Sequence, residues 1–396
     1  MVRIAYAKST SVSDAVRHCA EQLQEAHIAL LVVFCGGRHE PGAAAIALRQ
    51  AFGTIPIVGG SAAGGISRKG FGYSGFELIM AAFDPTSAPE LLVDHGLQLS
   101  DRECGRAIGG RIAKECAPNS VVALFFDSVH VSSPLRLHPA SQIMEGFYSG
   151  LGTHPATVIG GGLLTDLNLS NGWVFDGFSA CKHALVALVF PPFIHAQTVV
   201  LHGCRPVSTF MEITAIDGAD VSELDGKPAL GVIEEMLGLP IGGTSGHDLS
   251  LIATLGEKQG DPFADYDEDA YVNRLILSAN REHGSITLFE PDFRLGTRVQ
   301  IMSRDNDLML QSVRDGVSRL NDALDGRNPL LAIYIDCAGR ASARSGATQE
   351  EAELVIDGLN PLTPLLGFYS GVEIAPFQGY SRPLDWTGVL TVLYED

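Results

Sequence analysis

The chain has 396 residues, of which 46% are apolar and 18% charged, a balance that predicts a globular protein of two or three structural units. Its formal net charge of −19 disfavours nucleic acid and anionic membrane surfaces as partners, because both need a positive field. The seven cysteines include no CxxC pair, which argues against a disulfide framework or a structural zinc site.

The sequence also lacks the usual marks of export or membrane insertion. Its longest apolar stretch, at residues 184–193, is too short to cross a bilayer and contains two prolines. The first residues lack the basic start and apolar middle of a signal peptide. Together with the cysteine usage, these features predict a cytoplasmic protein with no membrane partner.

One pattern of predicted elements occurs three times along the chain. A buried strand leads through a polar turn to a helix, a second strand then ends in glycines, and a last strand closes the unit. The opening strands lie at residues 29–34, 121–128 and 330–340, the glycine-rich strands at 57–65, 155–166 and 364–376, and the closing strands at 75–83, 183–190 and 388–395. The repetition predicts three related strand-helix-strand units.

A different region separates the second and third copies. It contains a helix after Pro228, a Gly/Ser/Asp-rich loop at residues 241–248, and predicted strands near 249–254, 272–278 and 285–289. Two prolines at 191 and 192 suggest a domain boundary. We therefore predict an α/β (α+β) fold with mixed β-sheets and flanking helices, in two domains at residues 1–192 and 193–396.

These segments resemble the FIST family. In the first domain the resemblance is carried by PIVGGSAAGGIS, GFELIMAAF and PATVIGGG, and in the second by HGCRPV, ITAIDGADVSELDGKPAL, GSITLFEPDFRLGTRVQIM, IDCAGR and GFYSGVEIAP. The resemblance implies FIST N-terminal and C-terminal domains, a sensory role and binding of a small molecule, with amino acids suggested as ligands. It also implies that some bacterial relatives are haem proteins that sense nitric oxide. The output would pass to a separate signalling protein such as a kinase or cyclase, and a homodimer is a candidate assembly.

The predicted ligand site is a cleft between the glycine-rich strand junctions. Glycines there can expose backbone N–H groups, and polar residues at strand ends line clefts in α/β proteins. Arg340 would grip a carboxylate and Glu373 would accept an ammonium group. The alternatives are that the glycines form tight bends and that Arg340 and Glu373 form an ion pair. The full predicted set is Gly59, Gly60, Ser61, Asp127, Gly161, Asp166, Arg205, Cys337, Arg340, Tyr369 and Glu373.

Two further hypotheses involve histidine and cysteine. In a haem b sensor, the axial ligand would be His138, His130 or His39, although ligand binding as such requires no cofactor. In a cysteine-dependent enzyme, the nucleophile would be Cys204 or Cys337, which lie in the polar turns HGCRP and DCAGR. A small buried thiol is the alternative for each cysteine, and we favour a non-enzymatic function with no catalytic residue assigned.

Overall fold

The computed structural model describes residues 2–24, 27–239 and 252–395, so the predicted loop at 241–248 and the start of the predicted strand at 249–254 lie outside the described residues. The helices within these ranges are α1 (Val12–Gln22), α2 (Pro41–Phe52), α3 (Asp101–Glu115), α4 (Ala140–Leu151), α5 (Ala229–Met236), α6 (Asn306–Ala323), α7 (Ser342–Ser345) and α8 (Glu351–Gly358). None of the helices in the described ranges is both long enough and apolar enough to cross a membrane.

The strands are given in two groups, before and after residue 192. Before it lie β1 (Val2–Lys8), β2 (Leu30–Gly36), β3 (Ile57–Ala62), β4 (Gly65–Ser67), β5 (Gly70–Gly72), β6 (Glu77–Phe83), β7 (Glu90–Asp94), β8 (Ser120–Asp127), β9 (Val129–Ser132), β10 (Leu135–Leu137), β11 (Ala156–Leu163), β12 (Val174–Gly177), β13 (Ala180–Cys181) and β14 (Leu185–Val189). After it lie β15 (Ile194–Leu201), β16 (Arg205–Pro206), β17 (Met211–Asp217), β18 (Asp220–Leu224), β19 (Lys227–Pro228), β20 (Ala253–Lys258), β21 (Tyr271–Asn280), β22 (Ser285–Leu288), β23 (Arg298–Ser303), β24 (Asn328–Cys337), β25 (Leu365–Ser370), β26 (Val372–Phe377), β27 (Tyr380–Leu384) and β28 (Gly388–Glu395).

Local sequence explains where the main helices begin and end. Ser11, Ser100 and Asp305 precede α1, α3 and α6, and their side-chain oxygens accept the free backbone N–H groups of the first turn. The helices α2 and α4 stop at Gly53 and Gly152, where the positive backbone φ of 65° and 61° favours glycine.

Three six-stranded sheets share one strand order. They read β1-β6-β2-β3-β12-β13, β7-β14-β8-β11-β26-β27 and β15-β28-β24-β25-β4-β5. In each sheet the two inner strands are parallel, because α2, α4 or α8 crosses over between them, and their other neighbours are antiparallel. The sheets confirm the predicted mixed α/β architecture and its repeated strand-helix-strand units.

Each repeat completes its sheet with a hairpin from another repeat. The hairpin β4–β5 of the first repeat pairs with β25 of the third, β12–β13 of the second pairs with β3 of the first, and β26–β27 of the third pairs with β11 of the second. The exchange is cyclic. The three repeats therefore form one interlocked body.

The three sheets pack around a shared apolar core. The ring of Phe34 lies 5.5 Å from that of Phe125 and 4.1 Å from that of Phe368, so side chains from all three repeats meet at its centre. Glycine-rich strands of different repeats lie close together here, since a Cβ at Gly161 would lie 3.4 Å from the ring of Phe368, and a ligand cleft between them stays a prediction. A Cβ at Gly59 would lie 2.3 Å from the carbonyl oxygen of Val33, so this glycine allows two strands to approach closely.

Residues 205–303 interrupt the third repeat with a separate barrel. Its strands pair in the order β23-β17-β18-β22-β21-β20, and β20 pairs again with β23, which closes the ring. β16 pairs with β23 and β19 with β18, and α5 packs with the strands around an apolar interior. The chain leaves the third repeat after β15, forms the barrel, and returns to the third repeat at α6.

Candidate functional site

Two groups of polar side chains in the described residues are candidate sites. The histidine cluster, consisting of His130, His138 and His183, lies in the second repeat. The arginine cluster is our name for Arg205, the first residue of β16, and Arg304, which directly follows the paired strand β23. The guanidinium of Arg304 lies over the ring of Trp386 in the third repeat, and that of Arg205 lies over the ring of Tyr266 in the barrel.

Three elements bring the histidine cluster together. His130 belongs to β9, His138 comes shortly before α4, and His183 comes shortly before β14. The ring centroids lie 4.7 to 5.2 Å apart, and one ring nitrogen from each residue lies within 4.8 Å of the others. His138 is buried, while the other two are half-buried.

Two carboxylates fix the orientation of the histidine cluster. Asp101, at the start of α3, has its Oδ1 2.6 Å from Nδ1 of His138, whose Nε2 lies 3.0 Å from Nδ1 of His183. Asp127 is fully buried at the end of β8, and its Oδ1 accepts the backbone N–H of His183 at 2.8 Å. Its Oδ2 lies 3.7 Å from Nδ1 of His183 and has no hydrogen-bond partner in the described part of the chain. Burial raises the pKa of Asp127 and lowers that of His183.

The three candidate haem ligands, which are alternatives to one another, lie in two places. Both ring nitrogens of His138 contact other side chains, and neighbouring rings at about 5 Å leave no slot for a porphyrin between them. His39 lies in the first repeat, where it is buried and its Nε2 lies 3.4 Å from the carbonyl oxygen of Phe76. The histidine cluster as built therefore does not fit haem.

The arginine cluster contains hydrogen-bond donors without acceptors. The guanidinium of Arg304, directly after β23, lies 3.6 Å over the ring of Trp386. Its Nε and Nη1 are shielded from solvent and have no hydrogen-bond partner among the described residues, as is true of Nη1 of Arg205 and Nε1 of Trp386. Burial lowers the pKa of Arg304 to about 10. A shielded donor without an acceptor destabilises the folded protein, and binding of an acceptor removes that penalty.

Arg340 lies beside the arginine cluster but is fully engaged by the protein. Its Nε and Nη2 donate to Glu351 at 3.1 and 2.6 Å, and its Nη1 donates to the carbonyl oxygens of His202 and Trp386. The predicted partner Glu373 is not among these contacts. Arg304, which the sequence analysis missed, offers the free donors instead, and its position at the polar end of a buried strand is the signal that could have identified it.

Glu373 and Tyr369 belong to a buried network of the third repeat. Glu373 accepts hydrogen bonds from the hydroxyl of Ser370 and from the backbone N–H and hydroxyl of Thr387, and burial raises its pKa to about 8. The Tyr369 hydroxyl donates to Glu350 at 2.8 Å. These hydrogen bonds hold the turn between β25 and β26.

The remaining predicted ligand residues stabilise turns and strand junctions. Ser61 accepts the backbone N–H of Trp173 at 3.1 Å, and Asp166 accepts two backbone N–H groups of its own turn. Gly60 and Gly161 lie against the exchanged strands β12 and β26. Contact of these residues with a ligand stays a prediction.

The two candidate nucleophiles are buried. Burial raises the pKa of the Cys204 thiol to about 11 and that of Cys337 well above its ordinary value. Both side chains are therefore thiols at neutral pH, which counts against the cysteine-enzyme hypothesis.

Family models match most of the chain. The FIST N domain matches residues 29–227 and the FIST C domain matches residues 229–376. An uncharacterized protein of Mycobacterium tuberculosis is 27% identical over 242 residues, which cover 60% of this chain and 61% of that protein. An uncharacterized protein of Mycobacterium bovis is 27% identical over 208 residues, or 52% of each chain.

Likeness to solved structures is weak. A cyanuric acid hydrolase aligns with 100% of this chain and 99% of its own, at 8% identity and a TM-score of 0.34. PurLQS from Thermotoga maritima aligns with 78% of this chain and 74% of its own, at 13% identity and a TM-score of 0.22. No conclusion about fold or activity follows from scores this low.

Proposed function

This chain belongs to the FIST family, whose domains are associated with sensory and signal-transduction proteins, and on that premise we propose that it senses a small carboxylate ligand at the arginine cluster. The ligand is a metabolite of the amino-acid type. The observation that carries the proposal is the guanidinium of Arg304, which is stacked on Trp386 and has two donor nitrogens without acceptors among the described residues.

The unpaired groups match the two charged ends of an amino acid. A guanidinium can form two parallel hydrogen bonds to a carboxylate, and Nη1 of Arg205, on the strand that pairs with β23, is a further donor without an acceptor among the described residues. The indole N–H of Trp386 is also free to donate. Asp336, whose carboxylate lies 3.5 Å from Arg340, has no hydrogen bond to either oxygen in the described chain and would accept an ammonium group.

The location of the arginine cluster suits a signalling role. Arg205 and Arg304 belong to the barrel, whereas Trp386 belongs to the third repeat. A ligand held by both parts would stabilise one orientation of the barrel. The change would then pass to a separate cytoplasmic signalling protein, such as a kinase or cyclase.

A thermal-shift screen of amino acids and matched amines that lack the carboxylate tests the proposal. A ligand that binds only the folded protein raises the melting temperature, and we expect carboxylates alone to do so. Arg304→Ala should weaken binding on the order of 10- to 100-fold, since it removes charge-assisted hydrogen bonds. Arg314→Ala, on the exposed face of α6, is the matched control. Equal binding by Arg304→Ala, or no shift with any carboxylate, would refute the proposal.

A further inference from the structure

We propose that His130, His138 and His183, together with Asp127, form a binding site for a divalent transition-metal ion, with zinc as the best match. The site is separate from the arginine cluster, so this inference does not depend on the carboxylate ligand. It rests on the positions of ring nitrogens, on an unpaired carboxylate oxygen, and on a second carboxylate behind one of the rings.

The ring nitrogens are already close to the spacing that a metal ion imposes. Zinc binds imidazole nitrogen at about 2.0–2.1 Å in tetrahedral geometry, which places two ligand atoms roughly 3.3 Å apart. Nε2 of His138 and Nδ1 of His183 are 3.0 Å apart, and a nitrogen of His130 lies within 4.8 Å of both. A rotation of the half-buried His130 would bring all three onto one ion.

Asp127, which contacts His183 but lies outside the group of three close rings, is the candidate fourth donor. Its Oδ2 is buried, lies 3.7 Å from Nδ1 of His183, and has no hydrogen-bond partner in the described residues. A buried carboxylate oxygen without a partner destabilises the folded protein unless a cation or a proton is bound to it. The other oxygen is held by the backbone N–H of His183, which fixes the carboxylate beside the imidazole.

Asp101 acts as an outer partner, which means that it holds a metal-binding histidine in place without contacting the ion. Metal-binding histidines usually donate the N–H of the second ring nitrogen to a carboxylate, which leaves the first nitrogen free for the ion. Oδ1 of Asp101 lies 2.6 Å from Nδ1 of His138, so Nε2 of this ring faces the other two histidines with its lone pair. The contact with Asp101 therefore favours the tautomer of His138 that is protonated at Nδ1 and can bind a metal ion through Nε2.

The donor set favours zinc over the common alkaline-earth ions. Three imidazole nitrogens and one carboxylate oxygen suit zinc and neighbouring transition metals, whereas magnesium and calcium prefer oxygen ligands. A second group of possible ligands, His95, Asp176 and Cys181, is more exposed and lies next to the histidine cluster, since Cys181 is two residues before His183. The test must therefore separate the two groups.

Titration of chelator-treated full-length protein with Zn²⁺, followed by calorimetry, measures the site directly. We expect one ion per chain from the histidine cluster, and Co²⁺ should give the visible absorption of a tetrahedral complex. His183→Ala and His130→Ala should each weaken zinc binding by on the order of 100-fold or more, because loss of an outer partner alone costs about 10- to 100-fold. His27→Ala and His95→Ala should bind zinc as the native protein does.

The melting temperature of each variant in chelator checks that it folds, because the substituted histidines lie against the buried side chains of Asp127 and His138. His130 is half-buried, so its variant separates loss of metal from loss of fold. The proposal is overturned if the native protein binds no zinc, if His130→Ala and His183→Ala keep native affinity, or if His95→Ala abolishes binding. A haem absorption band that disappears in His138→Ala, in protein that does not bind zinc, would overturn it in favour of haem.

Discussion

Glu373 illustrates how one buried carboxyl group makes stability depend on pH. Its pKa is raised to about 8 by burial, against an ordinary value of 4.5, so the folded protein keeps a proton that the unfolded chain releases between these values. The stabilisation from this group is therefore complete below pH 4.5 and is lost as pH rises through 8. The expected loss is at most about 1.4 kcal/mol per pH unit.

Glu373→Gln should reduce this pH dependence. A carboxamide mimics the protonated carboxyl, since its NH₂ can donate to the hydroxyl of Ser370 while its oxygen accepts from Thr387. We expect the melting temperature of the variant to fall less between pH 5 and 8, and to exceed that of the native protein at pH 8.

The control for this experiment is Glu282→Gln, at an exposed position, which should keep the native pH profile. The pKa values of Glu290 and Asp385 are also raised by burial, to about 8 and 6, so the variant should retain part of the slope. An unchanged slope in Glu373→Gln would show that Glu373 is ionised in the folded protein.

At the scale of single residues, the sequence named some members of the two candidate sites, namely Arg205, Asp127 and His138, on the ground that polar residues lie near strand ends. The sequence could not distinguish Arg340, whose guanidinium is saturated by Glu351, from Arg304, whose donors are free. Hydrogen-bond partners distant in sequence decide that difference.

The paired helices α3 and α4 are the element on which the histidine cluster depends. They approach so closely that a Cβ at Gly109 or Gly146 would lie 2.1 or 1.9 Å from a backbone oxygen of the other helix. Asp101 opens α3 and His138 comes shortly before α4, so the same close approach sets their 2.6 Å contact.

Gly146→Ala should therefore destabilise the protein by several kcal/mol, because backbone must move to admit the methyl group. Gly110→Ala is the matched control, since its Cβ would have only one neighbour within 4 Å, the carbonyl oxygen of Gly150 at 3.9 Å. Alanine there should be neutral or stabilise the helix by up to about 1 kcal/mol. Chemical denaturation of both variants gives the comparison, and equal stability would contradict the close-packing argument.

The repeat pattern predicts a helix in the second copy, but nothing in it indicates this helix pair. The spacing of four residues between Gly105 and Gly109 in α3, and between Gly146 and Gly150 in α4, puts small residues on one face of each helix. Such a face also occurs on helices that do not pair. The partner is determined by sheet order, which links segments far apart in the chain.

At the scale of the whole molecule, the exchanged hairpins predict that the two halves cannot fold separately. A fragment of residues 1–192 lacks β26–β27, which complete the sheet of the second repeat, and its own β4–β5 lack their partner β25. We expect this fragment to be aggregated or unfolded when it is expressed alone. Co-expression with residues 193–396 should restore a soluble complex, as judged by co-purification and circular dichroism.

A stable, monomeric fragment with cooperative unfolding would contradict this expectation. The three repeats themselves were visible in the sequence, because each carries its own pattern of strands and glycines. The exchange of hairpins between repeats was not visible in the sequence, because a hairpin has the same local pattern whichever sheet it joins. The barrel was predicted only as a region of different character between the second and third copies.

The cyclic exchange also imposes an order on synthesis. The hairpin β4–β5 is made early, but its partner strand β25 ends at Ser370, almost 300 residues later. At about 5–20 residues per second, the ribosome needs roughly 15–60 s to supply that partner. During this interval the first sheet also lacks its own outer hairpin until β12–β13 emerge. A growing chain of this protein would thus expose unpaired strand edges for most of its translation, and such edges readily pair with other chains unless they are covered.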